Sequence, residues 1–311
     1  MSIDTSIFGP ASPGAEAILR LFGTLTLFSA LIFAIVLGVT LYSVIRFRAK
    51  PGQGEPRQVF GHTRLEILWT VAPAALILVI GVLSFNTLRV VDPARDGQPP
   101  ELILTGHQWW WEVRYPQAGF VTANEIHIPV GQPVWIQLES VDVIHDFWVL
   151  KLGRKMDAVP GRSNYLRLEA DAPGVYVGAC AEFCGMQHAW MRLRVIAQTP
   201  GEYAAWQQAQ AAIPPPPTET VALQGAKRFQ ELTCVNCHAI RGTGAQANAG
   251  PDLTHIASRQ TLGAGVLDNT TANLTKWLTN PQAVKPGNQM PHFSLSSTDL
   301  SALVAYLETL R

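Results

Sequence analysis

The sequence predicts a multi-domain chain: a two-helix transmembrane hairpin, then an all-β domain, then an all-α domain. Three observations carry this. Residues 21–45 and 67–88 hold no charged side chain. Between residues 101 and 196, short β-rich segments alternate with turn residues every ten residues or so, the rhythm of an antiparallel sandwich or barrel. From residue 219 onward, apolar residues recur at helical spacing.

The hairpin comes first. At the helical rise the shorter uncharged run spans about 33 Å, enough for the hydrocarbon core of a bilayer. A soluble fold of 311 residues would have difficulty covering two such runs. The loop between them carries Arg46, Arg48, Lys50, Arg57 and Arg64 against a single acid, Glu55, whereas the segment before Arg20 has only Asp4 and Glu16. By the positive-inside rule the loop is cytoplasmic and both termini lie on the periplasmic or extracellular side of the cell (inner) membrane. The N-terminus lacks the short basic region and apolar core of a plain signal peptide. Formal net charge is zero and only 15% of residues are charged, so nothing favours a nucleic-acid partner.

In the second part, "ELILT", "EIHIPV", "PVWIQLE", "NYLRLEA", "GVYVGAC" and "WMRLRVI" read as strands, punctuated by "PQAG", "VGQP" and "DAPG". A short helix, "PGEYAAWQQAQAA", follows. The proline run in "IPPPPTET" cannot join a helix or a sheet interior and reads as a semi-rigid linker. In the last part, "ETVALQGAKRFQEL", "NLTKWLTN" and "STDLSALVAYLETLR" carry helical periodicity, with Ser297 or Thr298 placed to cap the last helix. The expected boundaries are 1–95 for the N-terminal segment and hairpin (helices about 18–45 and 66–89), 96–212 for the β domain, 213–220 for the linker and 221–311 for the helical domain.

The four cysteines are Cys180, Cys184, Cys234 and Cys237. Two disulfides would each close a tiny loop and stabilise little. A histidine follows each pair, so metal or cofactor chemistry is the better account. The first pair sits in "CAEFCGMQHAWM", residues 180–191. Thiolates are soft ligands suited to copper or zinc. Zinc could take Cys180, Cys184, His188 and a distant histidine, which leaves Met191 without a role. A mononuclear blue-copper site would use Cys184, His188 and Met191 with His145 upstream, which leaves Cys180 over. Two thiolates bridging two coppers, each capped by an imidazole, use every soft ligand in the stretch.

"CAEFCGMQHAWM", with "DVIHDFWV" upstream, resembles the binuclear CuA signature of the cytochrome c oxidase subunit II family. "KMDAVPGR", "GHQWWWEVRYP" and "LEILWTVAPA" match that family too, and the likeness spans about residues 15–200. The resemblance implies a cupredoxin-like Greek-key barrel in which Cys180 and Cys184 bridge the coppers. It makes His145 and His188 terminal ligands, and Met191 and the Glu182 carbonyl axial ones. It further implies that the Glu182 side chain reaches a magnesium ion at the contact with subunit I, a hard cation suited to a carboxylate. Trp109 becomes the exposed residue through which electrons come in, although core packing explains a tryptophan on a strand equally well, with Trp109 and Trp111 sharing one face. Glu66 becomes the mouth of a proton-uptake path, although an acid in the first turn also complements the helix dipole. Leu150 and Arg192 stand where the family pattern has proline, which bears on loop geometry.

"CVNCH", residues 234–238, is a c-type haem attachment motif: Cys234 and Cys237 bind the vinyl groups and His238 is the proximal ligand. The segment resembles a small class I cytochrome c throughout. That likeness implies that Gly225 and Phe229 pack against the last helix near Tyr306. It also implies that the Pro251 carbonyl in "GPDL" orients His238, and that Met290 in "NQMPHF" is the sixth ligand, ahead of His255 and His292. A Met/His pair raises the haem potential, as an electron carrier needs.

Taken together, the resemblances imply subunit II of a haem-copper terminal oxidase with a fused cytochrome c. Haem c would take electrons from a quinol-cytochrome c reductase or a soluble cytochrome c. They would pass through CuA to subunit I, where oxygen is reduced to water with proton translocation in the respiratory chain. The alternatives are the CuA-containing subunit of a nitric oxide reductase and a membrane-tethered electron carrier.

Overall fold

The computed structural model describes residues 6–52, 54–55, 57–95 and 97–311, so Asp4 lies outside the described residues. The described residues fall into two compact units, those within 16–94 and those within 6–15 and 95–311.

The apolar runs form α1 (Pro13–Arg46) and α2 (Thr63–Val91), of 34 and 29 residues. Both extend beyond the uncharged cores because their N-termini are capped. The Ser12 hydroxyl accepts the Ala15 amide at 3.0 Å, with Pro13 at the first helical position. At α2 the Glu66 carboxylate accepts the His62 N–H at 3.0 Å, which satisfies an amide the helix start leaves free. The most apolar windows have mean hydropathies of 2.4 and 2.3, and none of either is buried. Surfaces this apolar and uncovered are suited to lipid.

Ten strands make the second part: β1 (Leu102–His107), β2 (Trp110–Tyr115), β3 (Phe120–Ala123), β4 (Glu125–Pro129), β5 (Val134–Ser140), β6 (His145–Val149), β7 (Met156–Ala158), β8 (Asn164–Leu168), β9 (Gly174–Cys180) and β10 (Arg192–Gln198). They form two five-stranded sheets, ordered β3-β2-β1-β5-β8 and β4-β10-β9-β6-β7. Alternation decides the faces. In β5, Val134, Ile136 and Leu138 point inward while Trp135 and Gln137 do not. One core joins the sheets, with Leu104, Val113 and Ile136 from the first and Ile128, Phe147 and Leu193 from the second, all 1% exposed or less. Two pairings depart from the antiparallel rhythm that the turn spacing suggests. β1 pairs with β5, and β10 with β4, in parallel. Each pair is joined through intervening strands, as a parallel pairing requires.

A capping box at Thr199 and Glu202 starts α3 (Pro200–Ala211). Its Trp206 stacks on His127 at 3.8 Å and meets Tyr115 edge-on at 5.2 Å, which fixes the helix on the sandwich.

The last part contains α4 (Thr220–Glu231), a two-stranded ribbon of β11 (Thr261–Leu262) and β12 (Leu267–Asp268), α5 (Thr271–Thr279), α6 (Pro281–Val284) and α7 (Ser297–Thr309). The cap of α7 is Ser296, not Ser297 or Thr298. Its hydroxyl accepts the Asp299 amide at 3.0 Å, the reach of an N-cap to the third helical residue. α4 crosses α7 closely. A methyl at Gly225 would collide with the Ala302 carbonyl, and Phe229 meets Tyr306 in a T-shaped pair at 5.9 Å. Phe229, Leu274, Leu303 and Leu307 are 3–5% exposed, and each such burial contributes about 1.5–3 kcal/mol.

Residues 213–218 have no regular structure, as the proline run demands. The helical domain nevertheless does not hang from this segment as from a tether: it packs on the sandwich. Glu125 of β4 accepts the amides of Gln260 and Thr261 at 2.9 and 2.8 Å and the Thr261 hydroxyl at 2.9 Å. Trp110, Ala123 and Ala264 form an apolar cluster across the junction. The Arg241 guanidinium donates to the carbonyls of Gln210, Ala211 and Ala212 and so fastens the end of α3. The sequence offered no sign of the Glu125 contacts, because they join residues more than a hundred positions apart.

Candidate metal centre and haem site

The first cluster is built where β6 and β9 pair antiparallel, with Phe147 opposite Cys180. His145 opens β6 and Cys180 ends β9. The chain then turns back through Cys184 and a 3-10 turn at His188–Trp190, and the Cys180 amide closes the loop on the Met191 carbonyl at 3.0 Å. Five side chains from two segments meet as a result. His145 Nδ1 lies 3.9 Å from Cys180 Sγ, and the two sulfurs are 3.7 Å apart. Cys184 Sγ lies 3.7 Å from His188 Nδ1 and 3.8 Å from Met191 Sδ, while the Glu182 carbonyl is 3.2 Å from Cys180 Sγ. Arg192, which replaces the expected proline, opens β10 and leaves this cluster intact. The Glu182 side chain is exposed.

Electrostatics are concentrated here. The thiols sit too close for two independent anions, so the pair favours one charge on Cys180. The hydrogen bond from Cys184 is the main cause that holds the Cys180 thiol down at about 3, and the same bond pushes Cys184 up. Burial alone would lower the His145 imidazole, but bonds to Cys180 and Asp142 raise it. Two soft sulfurs, two imidazoles, a thioether and a carbonyl, already in mutual contact, fit a copper pair.

Sequence reasoning missed the residues behind the cluster. Asp142 accepts from His145 Nε2 at 2.8 Å and from the Gln108 amide at 2.7 Å, which turns Nδ1 toward the sulfurs. Its signal was a carboxylate three positions before a candidate ligand. Gly106 is required because a Cβ there would lie 2.6 Å from the His145 ring. The Gln108 side chain and the Trp109 indole both donate to the Cys184 carbonyl, at 2.7 and 2.9 Å. The strand begins at Trp110, so Trp109 stands in the turn before it and does not share a strand face with Trp111. Trp111 is core at 0% exposure, and Trp109 is half-buried rather than exposed, since the docked domain reaches it. Lys285 Nζ donates to the Trp109 carbonyl at 3.0 Å, and Gln187 donates to the Pro286 carbonyl. Nothing local in the sequence marks Lys285.

The second cluster is assembled differently. Cys234 opens a 3-10 turn that Cys237 follows, and the His238 amide bonds the Cys234 carbonyl at 3.0 Å. His238 Nδ1 donates to the Pro251 carbonyl at 2.8 Å, which leaves Nε2 as the atom to hold a haem iron. A Cβ at Gly250 would stand 2.6 Å from this ring, so glycine is needed there. Burial lowers the His238 imidazole, which favours the neutral ligand form. Met290 is held through its backbone: its amide donates to Asn288 Oδ1 at 2.8 Å, and its carbonyl accepts from Gln282 at 2.9 Å. Of the rivals, His255 Nε2 is engaged with the Ala212 carbonyl at 3.0 Å, and His292 is exposed. Two attachment cysteines, an oriented imidazole and a thioether on a separate loop fit a c-type haem. Glu66 belongs to the other unit, at the start of α2.

Three family models match this chain. They are the transmembrane domain of cytochrome c oxidase subunit II over residues 4–87, its periplasmic domain over 118–198 and cytochrome c over 222–311. The cytochrome c oxidase subunit 2 of Alkalihalophilus pseudofirmus is 42% identical, over 91% of this chain and 84% of that protein. That of Bacillus subtilis is 33% identical, over 88% and 82%. The solved periplasmic domain of subunit II of cytochrome oxidase from Bradyrhizobium japonicum is 30% identical over 38% of this chain and 95% of that one, with a TM-score of 0.35.

Proposed function

The chain belongs to the cytochrome c oxidase subunit II family, with two membrane spans and a cytochrome c domain, and we propose that it carries electrons from haem c through CuA to the haem-copper subunit I. The observation that carries this reading is the docking of the helical domain on the loop that holds Cys184, through Lys285 and Trp109. Bound copper and haem supply the one-electron chemistry, and the residues hold and insulate them. Cys180 and Cys184 would bridge two coppers. His145, His188, Met191 and the Glu182 carbonyl would complete the set that holds them. Cys234 and Cys237 would attach the haem, with His238 and Met290 on its iron. Asp142 fixes the His145 ring, and Pro251 fixes the His238 ring.

The remaining assignments belong to the same reading. Trp109 receives the electron beside the thiolates. The exposed Glu182 carboxylate reaches a magnesium ion at the subunit I contact. Glu66, besides capping α2, opens a proton path, and oxygen reduction in subunit I is coupled to proton translocation. The arginine-rich loop faces the cytoplasm, which places both termini and both cofactor domains on the outer side of the cell membrane, within reach of a cytochrome c reductase or soluble cytochrome c.

Truncation after Ile213 tests the reading. It should leave the copper spectrum intact and make turnover depend on added cytochrome c, with a rate that falls steeply with salt. Equal turnover of the truncated and full complexes with the same upstream donor would contradict it.

A further inference from the structure

We propose that Lys285 is a positioning residue for haem-to-copper electron transfer: its ammonium bridges the carbonyls of Trp109 and Gly263 and so seats the haem domain on the residue beside the thiolates. The inference rests on the electron-transfer reading above.

Lys285 is 3% exposed. A lysine is almost never so buried unless it is paired. Among the described residues its bonds go to the carbonyl oxygens of Trp109 at 3.0 Å and Gly263 at 3.2 Å. A cation buried without a carboxylate partner is costly, and one that sits across a domain junction on two carbonyls is placed for geometry rather than stability.

Each end of the contact leads to a cofactor site. On the copper side, the Trp109 indole donates to the Cys184 carbonyl at 2.9 Å. One residue therefore separates the ammonium from the thiolate loop. On the haem side, Lys285 follows α6, and the same short segment holds Met290. Gln282 donates to the Asn288 and Met290 carbonyls at 2.8 and 2.9 Å, and Asn288 donates back to the Lys285 carbonyl at 2.6 Å. Lys285 thus links the loop of the proposed haem ligand to the loop of the proposed copper ligand. The step would move one electron, with bound haem oxidised by one and bound copper reduced by one. No bond is made or broken, so the demand on the protein is a short path held still.

The test uses the complete oxidase complex, with haem c reduced by a flash and the copper pair followed optically. Lys285→Met keeps the stem and removes the donor; Lys285→Gln keeps a donor without the charge. Lys285→Met should slow transfer by about tenfold or more, the scale of a lost charge-assisted hydrogen bond, and Lys285→Gln should recover part of it. Haem content, the copper EPR signal and both reduction potentials should stay at parental values. Amide hydrogen exchange in residues 184–188 and 263–265 should quicken. Glu125→Ala, which removes bonds to Gln260 and Thr261, serves as a general docking control and should slow transfer less. Parental rates in both Lys285 variants would overturn the role, as would equal slowing by Glu125→Ala, which would reduce Lys285 to one docking contact among several. If the unmodified complex shows no haem-to-copper transfer, the electron-transfer reading fails and this role with it. Fast transfer that survives both Lys285 substitutions overturns this role alone.

Discussion

The copper loop and the haem loop both carry two closely spaced cysteines followed by a histidine, yet the fold treats them in opposite ways. In the copper loop the donor atoms already touch, in an unbroken chain from His145 to Met191 with separations of 3.7–3.9 Å. In the haem loop each proposed ligand is fixed from behind, His238 by the Pro251 carbonyl and Met290 by its backbone. The difference agrees with the proposed occupants. Two metal ions need donors brought together, whereas a macrocycle needs donors held apart at set angles. The copper cluster should therefore fail as a unit when one donor is lost, and the haem site should lose its properties piecemeal.

Cys184→Ser should give the largest effect. It removes one of the two thiolates proposed to hold the copper pair, so the delocalised mixed-valence EPR signal should vanish and oxidase turnover should fall to background. A retained binuclear signal in this variant would break the comparison. Met290→Ala should be milder in kind: haem stays attached, because Cys234 and Cys237 are untouched. The reduction potential should fall and the far-red band of sulfur–iron ligation should disappear, since the axial ligand sets the potential. Persistence of both would assign the sixth position to another residue.

A reference lies outside both sites. Burial pushes the His127 imidazole down to about 4 against the ordinary value of 6.5. Between those values the unfolded chain binds a proton that the folded chain does not. This contribution is therefore complete above about pH 6.5 and is lost as pH falls toward 4, by about 3 kcal/mol at most. His127→Phe keeps the stack on Trp206 and should flatten the acid limb of thermal unfolding by one proton; an unchanged slope would refute the assignment. Asp142→Ala should have the smallest effect, weakening copper retention by about 10–100-fold against a competing chelator, because it frees the His145 ring without removing a ligand. Copper retained at parental affinity would mean that the strand pairing alone orients His145.

The same contrast explains what the sequence made legible. The two uncharged runs, the alternation in β5 and the periodicity of α4 and α7 are local patterns, and the architecture followed from them. The proposed copper donors lie within twelve residues apart from His145, so their spacing alone suggested a soft-metal site. Gln108 and Lys285 had no such signal, and Asp142 had only its place three positions before His145, because their roles arise only when β1, β6 and the domain junction meet in space. The proline run was legible as an irregular segment, but not as one bridging two docked domains. That depends on Glu125 finding the amides of residues 260–261, 135 positions away or more. Trp109 read as a strand residue because its neighbours are β-formers, and the turn that places it beside Cys184 leaves no mark in the composition.

The most direct test of the docked electron relay is the rate of copper reduction after flash reduction of haem c in the complete complex, measured at low and at high ionic strength. A domain seated through buried contacts such as Glu125 and Lys285 needs no charge steering, so the rate should be fast and nearly independent of salt. A rate that slows many-fold between low and high salt would show a domain that must find its partner anew at each turnover, and would contradict the account.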